Sequence, residues 1–540
     1  MKAEREFAKA SGQNLEESQG LTRFGTIPSQ FTLIMDEILH HSSGAGGQNM
    51  RLAGRAGSGP GRNLSQKLLW IAAAVAVALT DVSAARAGEL IVYNLSSRAV
   101  TCSVDGYTKA AGADADVAFR AEPGQRLNIP PSFKPKDQVI NTVDCGGLRT
   151  RAMNITPGSP DRVLFINGAQ RRVLNALLYA SIPTDPKAGF TPLVRWLALS
   201  YQAAHPDVLL NLVIDPSIDV YDFGNLKDTV FSAKGFDVAE IDTVFLKWLK
   251  DQGLISPARI TGDEPWSVGK AAVTIDGQAY GVPSWLCSDF LFSAGGDVSS
   301  IKTFADLQAF LAKSPGNRRA LVGDLYGTWT IPAFYLQAFV QSHADMTADA
   351  AAAAPIDNDV IKRLAKFGTY CSSSNGDPCI DGTFHTANNA KDGVIEQDFD
   401  AEQAAADLGF SERSFFLAYY QSVLAPLSLT AMPWGDKPDA PRLVYSDAFL
   451  TNRAACGKAP CDADAAAFAA FMTSAATKKY IAMATDLPGG DPPRHLLVAT
   501  KPFYDDADVK GDAVYSQLSA GFLQGNIQPY LTSFTPKVLS

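Results

Sequence analysis

The stretch from residue 174 to residue 215 constrains the fold most, because two apolar runs there flank an amphipathic one. The runs LNALLYASIP and VLLNLVID are short and almost continuously apolar, which is typical of buried strands. Between them, TPLVRWLALSYQAAHP places its apolar residues three and four positions apart and predicts a helix. A strand, a helix and a strand within about forty residues form a βαβ unit, which requires a parallel sheet.

The same alternation continues towards the C-terminus. The sequence predicts a strand end and a helix in VAEIDTVFLKWLKDQGLI, helices in TFADLQAFLAK, IPAFYLQAFVQSH and DNDVIKRLAKFGTYC, and a strand leading into a helix in ADLGFSERSFFLAYY. PRLVYSDAFLTN predicts another strand, and DADAAAFAAFMTSAATKKYIAMA and DAVYSQLSAGFLQG predict the closing helices. A long α/β chain in which helices follow a return of the strand pattern is typical of a two-lobed, hinged binding protein with a cleft between the lobes.

A different pattern occupies residues 88–170. Short β-branched runs such as ELIVYNL, AVTCSV and RVLFING alternate with turns there and predict a small antiparallel sandwich or barrel. No catalytic grouping occurs in this segment. Since 540 residues exceed a single core, we expect a small β-rich domain at 88–170 and a two-lobed α/β domain at 171–540.

Residues 1–87 predict a disordered leader and a secretory signal peptide. The run LLWIAAAVAVAL follows basic residues and precedes Ala85-Arg86-Ala87, which matches a signal with cleavage before Gly88. Its distance from Met1 is unusual, and a start at Met50 would give a signal of normal design. Twelve apolar residues cannot span a bilayer, so we expect a secreted or periplasmic protein without a stable membrane span.

The seven cysteines suit an oxidising compartment. Six of them predict three local disulfides: Cys102 with Cys145, Cys371 with Cys379, and Cys456 with Cys461. Metal binding is the alternative, and no pair has the Cys-x-x-Cys spacing or the accompanying histidine that a zinc site needs. We therefore expect no metal and no cofactor.

Cys287 is the cysteine without a partner. It ends the apolar part of IDGQAYGVPSWLCSDFL, two residues before Asp289, and an odd thiol in an exported protein is a candidate reactive group. A formal net charge of −9 argues against a nucleic-acid partner and is compatible with a cationic ligand.

Four segments of the chain resemble, in the same order, segments of the thiaminase I (thiamine pyridinylase) family. They are IDTVFLKWLKDQGLISP, DGQAYGVPSWLCSDFLFSAGGD, GFSER and VYSDAF. That family has a YGxPxxLC(S/T) segment with a nucleophilic cysteine and a GYSE segment with a catalytic glutamate. The resemblance covers about residues 173 to 530. It implies a two-lobed α/β fold like that of type II periplasmic-binding proteins, here with an extra N-terminal β domain, and a thiamine-degrading transferase.

Carried over residue by residue, the resemblance implies that Cys287 is the nucleophile and Glu412 the base that activates it. The candidate substrate-binding residues are Asp447, Tyr445, Asp242, Tyr179, Tyr221, Glu264 and Tyr280, of which Tyr280 is an aromatic that could stack on a substrate ring. Asp263 is as well placed as Glu264. The implied partners are thiamine and a small nucleophile, which is an amine, a thiol or water, and we expect a monomer.

Two departures from the family pattern bear on the substrate. Phe410 stands where the family has a tyrosine two residues before its glutamate, and no tyrosine lies near Gly393 in the sequence. Glu412 taken alone is also explained as a glutamate at a helix N-terminus, where the dipole favours a negative charge. The alternative function is a non-catalytic solute-binding protein for thiamine or a related molecule, which would need neither Cys287 nor Glu412 as a reacting group. A cysteine protease is disfavoured, because no histidine lies in a partner motif.

Overall fold

The computed structural model describes residues 88–530 apart from short gaps at 106–107, 110–112, 115–116, 130–141, 152, 154, 156–158, 185–188, 315–318, 328–329, 374–375, 391–392, 402–403, 422–426, 488 and 490. The leader and signal peptide predicted in residues 1–87 lie outside the described residues.

The strands of the described residues, numbered in chain order, are β1 (Leu90–Asn94), β2 (Val100–Asp105), β3 (Thr108–Lys109), β4 (Ala113–Asp114), β5 (Val117–Ala121), β6 (Arg126–Ile129), β7 (Thr142–Cys145), β8 (Leu148–Arg149), β9 (Arg162–Ile166), β10 (Arg172–Leu178), β11 (Val208–Ile214), β12 (Val238–Asp242), β13 (Thr274–Ile275), β14 (Gln278–Ala279), β15 (Val282–Cys287), β16 (Phe290–Ser293), β17 (Leu321–Gly323), β18 (Ala406–Gly409), β19 (Ser428–Ala431), β20 (Arg442–Thr451), β21 (Leu497–Val498) and β22 (Ile527–Pro529).

The α-helices are α1 (Thr191–Ala204), α2 (Phe223–Asn225), α3 (Leu246–Asp251), α4 (Ser267–Ala272), α5 (Phe304–Leu311), α6 (Thr330–Ser342), α7 (Ala348–Ala353), α8 (Asn358–Gly368), α9 (Thr383–Ala390), α10 (Val394–Ala401), α11 (Arg413–Gln421), α12 (Arg453–Cys456), α13 (Cys461–Thr473), α14 (Ala475–Ala482), α15 (Ala507–Gly511) and α16 (Ala513–Leu518). Short 3₁₀ turns cover Thr243–Phe245, Thr369–Cys371 and Lys501–Asp505, and π turns cover Leu226–Val230 and Ser519–Leu523.

One lobe is built on a sheet with the strand order β11-β10-β12-β20-β15-β21, and β22 pairs with the start of β20. β10 and β11 run parallel, with Asn175 opposite Asn211, and α1 connects them, which confirms the predicted βαβ unit. Both strands are buried over most of their length, because a parallel sheet is covered on both faces. β20 runs antiparallel to β12 on one side and to β15 on the other.

The other lobe contains a four-stranded sheet with the order β17-β18-β16-β19. β17 and β18 are parallel, and β16 is antiparallel to both of its neighbours. Only Ser288 and Asp289 separate β15 of the first sheet from β16 of the second. The chain therefore passes from one lobe to the other directly after Cys287.

The β-rich segment forms a sheet of order β6-β1-β9 and another of order β5-β2-β7-β8. The prediction of a wholly antiparallel arrangement is wrong for β1 and β9, which pair in parallel, since β9 returns after a long connection. Ile91, Val163 and Phe165 belong to the same hydrophobic core as the first lobe. A buried ion pair of 2.5 Å between Arg162 and Asp215 adds a polar link, and the boundary at residue 170 stays a prediction.

The three predicted disulfides are present, and Cys287 is the free cysteine of the described residues. The closing helix predicted in DADAAAFAAFMTSAATKKYIAMA is divided into two helices, α13 and α14. Ser474 adopts an extended conformation and its side chain accepts the Thr477 N–H, which begins a new helix. None of the helices in the described part of the chain is long and apolar enough to cross a membrane.

Candidate active site

The first wall of the site lies at the carboxyl ends of three parallel strands. Tyr179 follows β10, Tyr221 lies in the loop after β11, and Asp242 is the last residue of β12. Because parallel strands end at one edge of a sheet, these side chains meet. The two tyrosine hydroxyls lie 2.6 Å apart, and Tyr221 donates to Asp242 Oδ2 at 3.4 Å. The Val244 N–H donates to the other oxygen of Asp242 at 2.9 Å, which fixes the carboxylate.

β20 extends this wall towards Cys287. On one side of β20, Asp447 lies opposite Asp242 of β12. On the other side, Asp447 lies opposite Trp285 of β15, and Tyr445 lies opposite Cys287 of β15. Side chains two residues apart on a strand share a face, so Tyr445 and Asp447 point the same way, as do Trp285 and Cys287. The antiparallel register therefore gathers a thiol, two carboxylates and an indole on one surface.

Glu412 comes from the other lobe. β18 ends at Gly409 and α11 begins at Arg413, so Glu412 lies at the helix N-terminus. This is the position that the sequence analysis gave as the alternative explanation for a glutamate here. The Ser411 hydroxyl donates to Glu412 Oε2 at 3.4 Å. Arg413 is buried and forms an ion pair with Glu396, which anchors the start of the helix.

These side chains line one cavity of about 500 Å³, a size ordinary for small-molecule sites. The predicted residues that line it are Cys287, Glu412, Asp447, Tyr445, Asp242, Tyr179 and Tyr221. The structure does not bring Glu264 or Tyr280 to this cavity. Glu264 is exposed and pairs with Lys501, while Tyr280 packs against the core between β14 and β15.

The cavity is acidic, and the carboxyl groups of Asp289, Asp242 and Asp447 in it bind protons more tightly than usual. Burial raises the pKa of Asp289 to about 7, and the negative charge of Glu412 adds to the effect. Burial also raises the pKa of Asp242 to about 6, against the hydrogen bond from Val244. The pKa of Asp447 rises well above its ordinary value through burial and through the charge of Asp242. The Asp242–Asp447 pair therefore favours a shared proton near neutral pH.

Cys287 is half-buried in the same cavity. Burial raises the pKa of its thiol well above the ordinary value, and Glu412, Asp447 and Asp289 raise it further. The protein by itself therefore favours the neutral thiol over the thiolate. A nucleophilic thiolate requires a base that takes the proton or a positive charge close by.

A buried polar network supports the wall from behind. Lys478 Nζ donates to Ser284 Oγ at 2.6 Å, and the Ser284 hydroxyl donates to Glu240. The other oxygen of Glu240 accepts the Tyr179 N–H at 3.1 Å. Lys478 Nζ also lies 3.3 Å from the centroid of the Trp285 ring, and burial lowers its pKa to about 7. The network therefore holds the backbone of Tyr179 and the indole ring of Trp285 in the cavity wall.

The sequence missed several cavity residues. Asp289 and Tyr530 line the cavity, and the Tyr530 ring lies 4.3 Å from that of Tyr445. A Cβ at Gly393 would lie 2.6 Å from the ring of Tyr420, so a tyrosine reaches this place from α11. Phe410 is 43% exposed at the cavity, where it makes an edge contact with Tyr445.

An aspartate–histidine pair on the second lobe also lines the cavity. It consists of Asp324 and His385, whose facing atoms lie 2.8 Å apart. Sequence spacing did not indicate this pairing, because the two residues are 61 positions apart.

The fold and the cavity together define a two-lobed α/β protein with a thiol between its lobes. Comparison with solved structures finds thiaminase I from Clostridium botulinum in complex with thiamin, at 18% identity and a TM-score of 0.54, covering 68% of this chain and 95% of that one. Thiaminase I from Bacillus thiaminolyticus matches at 20% identity and a TM-score of 0.52, over 68% of this chain and 96% of that one.

The maltose-binding periplasmic protein MalE from Listeria monocytogenes, in complex with maltose, also matches, at 15% identity and a TM-score of 0.45, over 68% of this chain and 88% of that one. No protein-family model matches the chain, and no curated protein matches its sequence. At these identities, the similarity to the two thiaminase I structures shows a shared fold. The predicted two-lobed α/β fold is thereby confirmed.

Proposed function

We propose that this protein is an exported transferase that degrades thiamine by displacing its thiazole with a small nucleophile. The observation that carries the proposal is the convergence of Cys287 from one lobe and Glu412 from the other on a single acidic, tyrosine-lined cavity. The three disulfides support export, since such bonds persist in oxidising compartments.

Thiamine joins an aminopyrimidine to a cationic thiazolium through a methylene. The carboxyl groups of Asp242 and Asp447 suit the pyrimidine, because one proton shared between them provides both a donor and an acceptor for its ring nitrogen and amine. Tyr179 and Tyr221 lie beside this pair. Trp285 and Tyr445 supply aromatic faces for the rings and for the positive charge.

In the first half-reaction, Glu412 takes the proton of Cys287, and the thiolate adds to C6 of the pyrimidine. Electrons pass into the pyrimidine ring, the bond from the methylene to the thiazolium breaks, and the thiazole leaves as a neutral molecule with the bonding pair. The product is a covalent Cys287–pyrimidine adduct with an electrophilic methylene. Charge balances, because the thiolate and the thiazolium neutralise each other.

In the second half-reaction, an amine, a thiol or water attacks the methylene, and any proton carried by the attacking atom is released as the new bond forms. The bond between Cys287 and C6 breaks as the aromatic ring is restored, and Glu412 returns its proton to the thiolate. General-base assistance of this kind contributes about 10²- to 10⁴-fold.

The test measures thiazole release from thiamine by the parent protein and two variants. Cys287→Ser should abolish release, while Glu412→Gln should lower turnover about 10²- to 10⁴-fold, and both should bind thiamine nearly as tightly as the parent. Glu264→Gln is a matched control outside the cavity and should leave turnover unchanged. A parent that binds thiamine yet releases no thiazole with amines and thiols offered would decide for a solute-binding protein.

A further inference from the structure

Asp324 and Glu412 emerge at the same edge of the second sheet. β17 and β18 are parallel, with Gly323 opposite Leu408, so the residues that follow both strands project from the same end. Asp324 follows β17 immediately, and Glu412 lies three residues beyond β18. Both residues line the cavity that holds Cys287.

Asp324 holds a histidine in this position. His385, in the first turn of α9, places Nδ1 2.8 Å from Asp324 Oδ2. The Asp324 side chain is 10% exposed and that of His385 is 34% exposed, so the carboxylate is covered and the imidazole reaches the cavity. A carboxylate that accepts from Nδ1–H sets the tautomer in which Nε2 carries the lone pair, which is the form that acts as a base.

Close packing fixes the imidazole ring. A Cβ at Gly327 would lie 3.0 Å from His385 Cε1, so only glycine fits against the ring without a shift. Tyr326 covers another side, with its ring centroid 5.7 Å from that of His385. The ring therefore has both a fixed tautomer and a fixed place in the cavity wall.

The proposed reaction needs a second base. After the first half-reaction Glu412 carries the proton of Cys287, and it must keep that proton for the thiolate that leaves later. An incoming thiol or water must lose its own proton as it attacks the methylene. Because Glu412 is protonated at that moment, another group has to accept this proton.

We propose that His385, oriented by Asp324, is the base that deprotonates the second nucleophile. This inference rests on the proposed transferase function. The nucleophile forms its bond to the methylene carbon while its proton moves to His385 Nε2, and the Cys287–C6 bond breaks to give the thiolate. Glu412 then reprotonates Cys287, and the imidazolium releases its proton to solvent. Thiamine and the acceptor thus give substituted pyrimidine, thiazole and one proton.

The choice of acceptor makes this role testable. A thiol such as 2-mercaptoethanol and water both carry a proton that must leave. Pyridine has a lone pair and no such proton, so it attacks the methylene directly and gives a pyridinium product. A base for the acceptor therefore matters for the first two and not for pyridine, whereas a merely structural role affects all three alike.

The experiment compares the parent with His385→Gln on the full chain. Single-turnover thiazole release should be unchanged, turnover with 2-mercaptoethanol or water should fall about 10²- to 10⁴-fold, and turnover with pyridine should stay within a factor of about three of the parent. Asp324→Asn should show the same selectivity with a smaller loss. The matched control is His343→Gln, since His343 pairs with Asp357 at 2.9 Å and does not line the cavity.

Equal losses with all three acceptors, or unchanged turnover with 2-mercaptoethanol, would overturn the role of His385. A parent that releases no thiazole in a single turnover would instead overturn the transferase function, and the inference with it. The two failures are distinguishable because thiazole release precedes the step assigned to His385.

Discussion

Replacing Asp289 by asparagine tests whether burial governs the electrostatics of the cavity. Asp289 is 4% exposed and accepts a hydrogen bond from Gln337 Nε2 at 3.1 Å, which the amide oxygen of asparagine can also accept. The substitution therefore keeps the shape and removes the titrating proton. Burial, aided by Glu412, raises the pKa of Asp289 from 3.8 to about 7.

The pH dependence follows from the protons that each state binds. Between pH 3.8 and about 7 the folded protein holds the Asp289 proton more tightly than the unfolded chain, so this carboxyl destabilises the fold as the pH rises through that window. At about 1.4 kcal/mol for each tenfold change in the protonation equilibrium, the loss approaches about 4 kcal/mol at pH 8 and is near zero at pH 4. Asp289→Asn should therefore raise Tm by several degrees at pH 8 and leave it unchanged at pH 4.

Differential scanning calorimetry of the parent and the variant from pH 4 to pH 8 measures this directly. Asp439→Asn is the control, because Asp439 is exposed at the surface and its replacement should not change the pH dependence. Equal Tm values for Asp289→Asn and the parent at pH 8 would refute the reasoning. A gain of the same size at pH 4 would also refute it, because the effect would then not come from charge.

Two further predictions concern the thiol and the link to the β-rich segment. Thiol titration of the unfolded, unreduced protein should find one free thiol. In the folded protein, Cys287 should react slowly at pH 7 and faster as the pH rises beyond 9, because only the thiolate reacts. A fast reaction at pH 7 would contradict the raised pKa of Cys287. Arg162→Ala should destabilise the protein by about 3–5 kcal/mol in urea unfolding, since it leaves Asp215 buried without its cation; a loss below about 1 kcal/mol would mean that the pair contributes little.

Local periodicity was sufficient to predict most of the elements around the site. The βαβ unit, the strand that ends at Asp242 and the strand that carries Tyr445 and Asp447 all follow from patterns within a dozen residues. The resemblance of short motifs to those of the thiaminase I family predicted Cys287 and Glu412 as site residues, and both line one cavity.

Spatial neighbours that depend on distant pairing could not be predicted in this way. Glu264 and Tyr280 are close to Cys287 in sequence, yet the hairpin of β13 and β14 and the ion pair with Lys501 keep them away from the cavity. His385 reaches the cavity through Asp324, whose position depends on the parallel pairing of β17 and β18. No local pattern contains that information.

The raised pKa of Cys287 determines when the thiol of the proposed enzyme is reactive. Burial, reinforced by the neighbouring carboxyl groups, holds the thiol neutral, which does not suit a nucleophile that must be reactive before any substrate arrives. A cation beside the sulfur shifts the equilibrium from the thiol towards the thiolate. A unit positive charge about 6 Å from the sulfur, at an effective dielectric constant of about 20, stabilises the thiolate by about 3 kcal/mol, which lowers the pKa by about two units. The same acidic wall that attracts a thiazolium would therefore keep Cys287 unreactive towards other electrophiles until the thiazolium lies beside it, whereas a solute-binding protein gains nothing from a thiol in that place.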